Sequence, residues 1–222
     1  MIAVERMTPS ARVIAGICAI VGWVALALQY KLIADNLGVG AGLWRFVGYF
    51  TILTNIGVAL VATAVALGGG SRLGWFGRLG GPRARLLAAS SIVLVGLVYS
   101  LALRATWNPT GWQRIVDFAL HDATPLLFVM TWILAPNGAL FRRDFAWALV
   151  PPVAYAAYTL ARGSIDGWYA YWFLDPSQQS LAELASSIAF MLAGFAVIAG
   201  LLVGVDKWLG KAEAEAGAES AN

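Results

Sequence analysis

This chain of 222 residues contains one histidine, His121. It sits in the run RIVDFALHDATPLLF, with Asp117 four residues before it and Thr124 three after. On an α-helix that spacing places all three on one face. A second polar run, FTILTN, carries Thr51, Thr54 and Asn55 at i, i+3 and i+4, again on one face. An alcohol beside a neutral imidazole can act as nucleophile and general base: the ring takes the hydroxyl proton as the oxygen attacks a carbonyl, then returns it to the leaving group. Asp117 is spaced to orient the imidazole, or to pair instead with Arg104 or Arg114.

Other chemistries fit less well. One histidine cannot ligate a haem from both sides or build a histidine-rich zinc site, and no G-x-S-x-G elbow occurs. The expected chemistry needs no metal and no organic cofactor. A proton or ion path through Asp117, His121, Asp122 and Arg104 is a competing use of the same residues. Structural roles also compete: threonine in an apolar helix commonly bonds its own i−4 carbonyl, and Asn55 suits interhelical hydrogen bonding. His121 stands apart, because a titratable ring in hydrocarbon is costly and marks a site by default.

The elements that must position these groups are membrane helices. The chain is 60% hydrophobic and 12% charged, with a mean hydropathy of +0.73; a soluble domain carries about twice that charge. Six apolar stretches are expected to cross a bilayer: Ile14–Leu32, Trp44–Leu67, Leu86–Leu103, Ile115–Ala135, Phe145–Leu160 and Leu184–Val205. Arg6 and Arg12 with Ala25-Leu26-Ala27 resemble a cleaved leader, but the apolar run continues through Tyr30 and reads as a retained helix. The fold class predicted is all-α, a polytopic bundle of six transmembrane helices over residues 1–211, followed by a disordered cytoplasmic tail at 212–222.

Basic residues set the orientation. Arg6, Arg12, Arg72, Arg78, Arg83, Arg85, Arg142, Arg143, Lys207 and Lys211 gather on one side, which puts both termini in the cytoplasm. The net charge of +3 is accounted for by this bias and calls for no nucleic-acid partner. The loop Gly68–Arg85 reads as a flexible basic linker, Pro151-Pro152 as a mid-helix kink, and Gly200 and Gly204 as a close-packing face. Cys18 reads as a small core residue. With Thr51 seven residues into its helix and His121 six or seven into its own, both are expected about 10 Å below the outer boundary. The aromatic loop Gly163–Ser180 reads equally as an interfacial anchor or as a lid over a lipid-accessible cavity.

Three stretches carry a family likeness: Trp44-Arg45-Phe46 with Tyr49-Phe50-Thr51-Ile52, then Leu120-His121 with Pro125, then Gly167-Trp168-Tyr169-Ala170-Tyr171-Trp172-Phe173-Leu174-Asp175. In their order and with six helices, the chain resembles a bacterial relative of the androgen-induced protein (ADTRP) family of membrane threonine hydrolases. The resemblance implies hydrolysis of fatty acid esters of hydroxy fatty acids, with Thr51 as nucleophile and His121 as general base, in the bacterial inner membrane. Thr54 stands as the alternative nucleophile, and Asn55, Asp117, Tyr169 and Asp175 as supporting or substrate-binding residues. The partners expected are a lipid ester and the bilayer itself. A small proton-coupled transporter and a non-catalytic lipid-binding protein are the competing readings.

Overall fold

The computed structural model describes residues 7–69, 74–141 and 143–219. Arg6, Arg72 and Arg142, part of the loop at 70–73 and residues 220–222 of the tail lie outside them. Among the described residues all regular structure is helical.

Helix α1 is Pro9–Leu37. Its start is written locally: Pro9 occupies the first turn, and the Thr8 hydroxyl accepts the Ala11 N–H at 3.1 Å. It ends at Gly38, whose φ of 82° is open to glycine at no steric cost. Two shorter helices follow, α2 at Val39–Phe46 and α3 at Phe50–Ala66, bent 83° from one another. Next come α4 at Pro82–Leu103, α5 over residues 111–134, α6 at Asp144–Ala148, α7 at Val150–Asp166 and α8 at Leu181–Glu219.

Helices α1, α4 and α8 are long and apolar enough to cross a membrane, and α2 with α3 makes a fourth if the bent pair is one span. That fits an α-helical membrane protein. The expected six are not matched by the same measure. Helix α7 has 17 residues, and the first half of α5 is diluted by Arg114, Asp117, His121 and Asp122.

The single long helix expected at Trp44–Leu67 is interrupted at Val47–Tyr49. Carbonyls freed there are taken up by distant side chains: Tyr155 donates its hydroxyl to the Gly48 oxygen at 2.9 Å, and Tyr158 donates to the Val47 oxygen at 3.1 Å. Satisfied in this way, a helix break becomes tolerable away from water. Pro151 and Pro152 do not kink a helix; they sit in the first turn of α7, where missing N–H groups cost nothing. Where disorder is expected from Ala212, α8 continues to Glu219. A Cβ added to Gly204 would meet nothing within 4 Å, and the close glycine contact is instead Gly210 against Gly138.

Small residues bring α1 onto α3. Ala11, Ala15, Cys18, Ala19, Gly22 and Ala25 recur every three or four positions and are buried, and a Cβ on Gly22 would lie 3.4 Å from that of Ala59. Helices α3 and α5 run in the same direction. Ile52 shares a buried cluster with Val116 and Leu120, while Val58, Val61 and Val65, further along α3, share the next with Phe128 and Trp132.

Candidate functional site

Two helices lose their regular ladder at the candidate site. In α4 the Arg104 N–H donates to the Tyr99 carbonyl at 2.8 Å, and in α5 the Thr124 N–H donates to the Ala119 carbonyl. Both are i→i+5 bonds, the mark of a π-bulge, which recurs at functional positions. Tyr99 opens the first bulge and His121 lies at the centre of the second. Their rings stack with centroids 4.0 Å apart and planes 15° from parallel. Gly96 faces this bulge, where a Cβ would make ordinary contact with the His121 carbonyl at 3.5 Å.

Asp117 ties the two rings together. The Tyr99 hydroxyl donates a short hydrogen bond to Asp117 Oδ2. His121 Nδ1 lies 3.0 Å from the Asp117 carbonyl oxygen and 3.3 Å from Asp117 Oδ1. Both atoms accept, so Nδ1 carries the proton and Nε2 is the basic nitrogen of the neutral ring. Asp117 therefore orients the imidazole rather than pairing with Arg104 or Arg114. Arg104 pairs with Asp122 at 2.5 Å and lies 4.7 Å from the Tyr99 ring centroid.

The other face of the site is an apolar cavity of about 510 Å³. Its walls include Thr51, Val95, Tyr99, Tyr155, Tyr171 and Phe190, so Tyr99 separates the cavity from His121. Thr51 is the second residue of α3, and its N–H reaches the Tyr171 hydroxyl at 3.4 Å; the Thr51 side chain meets the same hydroxyl. Trp172, Phe173 and Leu174 of the aromatic loop also line the cavity, which favours the lid over the anchor.

The sequence-predicted residues divide accordingly. Asn55 is fully buried and bridges the helices, donating to the Thr51 carbonyl at 2.9 Å and to the Leu120 carbonyl at 3.3 Å. One amide thus holds the Thr51 and Leu120 carbonyls together, which sets Thr51 close to the level of Leu120 and His121 on the two parallel helices. Among the described residues no hydrogen bond joins Thr51 to His121. Thr54 is buried but does not line the cavity.

Tyr169 packs on Gly163, where a Cβ would lie 2.2 Å from its ring, and does not line the cavity. Asp175 serves its own loop, accepting from the Ser177 N–H at 2.9 Å, the Ser177 hydroxyl at 2.7 Å and the Gln178 amide at 2.7 Å. Those bonds, the Ser177 hydroxyl first, hold its carboxyl below the usual range. Tyr99, Tyr155 and Tyr171 were not legible as site residues; only their polar tips within apolar runs hinted at it. Set against known protein families, curated proteins and solved structures, the chain matches none of them.

Proposed function

We propose that this protein is a six-span membrane hydrolase of long-chain lipid esters, with Thr51 as nucleophile and His121 as general base. On this reading both termini face the cytoplasm of a bacterial inner membrane, and the chain is a relative of the androgen-induced protein family. The observation that carries it is the apolar cavity, which has the Thr51 hydroxyl in one wall and, behind Tyr99 in another, an imidazole oriented by Asp117. Such a chamber suits an acyl chain, with a few polar groups to fix the ester.

In the proposed reaction the Thr51 oxygen attacks the ester carbonyl, and His121 Nε2 takes its proton and delivers it to the departing alcohol. Water then hydrolyses the threonyl ester with the same base. The break before α3 puts Thr51 in the first turn, where its N–H has no partner inside the helix and donates instead to the Tyr171 hydroxyl. Tyr99 stands between the cavity and His121, so the proposed proton transfer requires substrate binding to displace that ring.

A non-catalytic lipid-binding role is the second reading, favoured by the engagement of Thr51 with Tyr171. A fluorophosphonate probe, with release of hydroxy fatty acid from a branched ester by purified protein, tests the proposal. Labelling and turnover lost in both Thr51→Ala and His121→Ala support it. Labelling lost only in Thr54→Ala moves the nucleophile, and saturable ester binding without turnover establishes the second reading.

A further inference from the structure

Beside the cavity, on the far side of the Val47–Tyr49 break, lies a second polar cluster that the hydrolase reading does not use. Arg162 of α7 is 4% exposed. Its guanidinium carbon stands 4.5 Å from the Trp44 ring centroid and 4.8 Å from that of Trp168. Arg45 of α2 approaches the same Trp168 ring at 4.0 Å. Two cations thus share one indole.

Charge compensation is incomplete. Asp166 is the carboxylate available to them, and it is already committed: Trp44 Nε1 donates to it at 2.6 Å and the Trp168 N–H at 3.0 Å, leaving Arg162 Nη2 at 3.4 Å. Arg162 Nε is buried with no hydrogen-bond partner. A guanidinium presents five donors in a fork matched to the paired oxygens of a carboxylate or phosphate, and a buried cation without its full complement of acceptors is costly. The flanking Trp44 and Trp168 are of the residue type enriched at membrane–water interfaces. Gly48 leaves the room: a Cβ there would lie 2.1 Å from Arg162 Nη1.

We propose that Arg45 and Arg162, stacked on Trp168 beside Gly48, form a binding site for the oxyanion of a lipid head group. The phosphate or carboxylate accepts from the half-buried Arg45 and from the unpartnered Nε of Arg162, completes the compensation Asp166 begins, and anchors the lipid at the rim of the bundle. The site stands on this cluster alone and does not require Thr51 or His121 to be catalytic.

The test is thermal unfolding of the purified full-length protein in neutral detergent, titrated separately with dioleoylphosphatidylglycerol, oleate, inorganic phosphate and uncharged dioleoylglycerol. A ligand that binds the folded state raises the midpoint with concentration. The phosphatidylglycerol and oleate are expected to raise it and dioleoylglycerol to leave it unchanged. Arg45→Gln, at a half-buried position, is expected to weaken that response about tenfold, the worth of one charge-assisted hydrogen bond, while Lys211→Gln keeps it. Arg162→Lys, which retains charge without the fork, is expected to weaken it as well; if that variant does not fold, Arg45→Gln decides alone. Equal shifts by dioleoylglycerol, an unchanged response in Arg45→Gln, or inorganic phosphate acting as strongly as the lipid would each overturn the proposal, the last in favour of a soluble anion.

Discussion

The imidazole of His121 lies flat against the phenol of Tyr99, 4.0 Å between centroids, with Asp117 bonded to both. Tyr99→Phe keeps the stack and removes a donor from a buried carboxylate. Its expected cost is about 1–3 kcal/mol, read as a lower unfolding midpoint in detergent. Tyr99→Ala is expected to lose the stack as well and to fall further; equal midpoints for the two variants would show that the stack contributes nothing.

Tyr171 meets both the N–H and the side chain of Thr51. On the proposed function, Tyr171→Phe is expected to slow fluorophosphonate labelling at least about tenfold, since a polar contact at a nucleophile acts on the transition state. Tyr169→Phe, whose ring rests on Gly163 outside the cavity, is expected to label at the wild-type rate. Matching rates in both variants would remove Tyr171 from the site.

Gly48→Ala drives a methyl group into Arg162 Nη1 and the Trp168 ring. Overpacking of this kind costs about 1–3 kcal/mol, measurable as a lowered midpoint. In an Arg162→Ala background the clash with the guanidinium is gone, so the same substitution should cost less. Additive losses in the double variant would place the strain elsewhere.

Asp175 supplies a pH test outside the bundle. Its folded carboxyl is held below the ordinary value of about 3.9 by the Ser177 and Gln178 donors. The sign follows from linkage: this contribution is full above the unfolded value and is lost as pH falls through the folded one. Amide protection factors in residues 172–180, taken against the intrinsic rate at each pH, should be high at neutral pH and fall below about pH 4, and those of Asp175→Asn should be low throughout. Slow exchange in that variant would mean the loop is held by other contacts.

What the sequence disclosed was the part governed by nearest neighbours. The apolar run of the first helix and the shared face of Asp117 and His121 follow from residue type and spacing. The break at Val47–Tyr49 does not: no proline marks it, and the groups that stabilise it, Tyr155 and Tyr158, lie more than 100 positions away. The prolines at 151 and 152 were visible but ambiguous, because kink and helix start differ only in what precedes them. Neither π-bulge has a sequence signature. Tyr99, which stands between the cavity and His121, therefore emerges only once the helices are packed, and so does the acceptor that Asn55 finds across the interface at the Leu120 carbonyl.

Helix α8 touches the bundle as far along as Gly210, which abuts Gly138, and then runs nine residues more to Glu219. At 1.5 Å per residue that is an overhang of about 13 Å, stiffened on its surface by the Lys211–Glu215 pair. An exposed overhang is held mainly by its own helical ladder, so its amides are expected to open before those of the packed part of the helix.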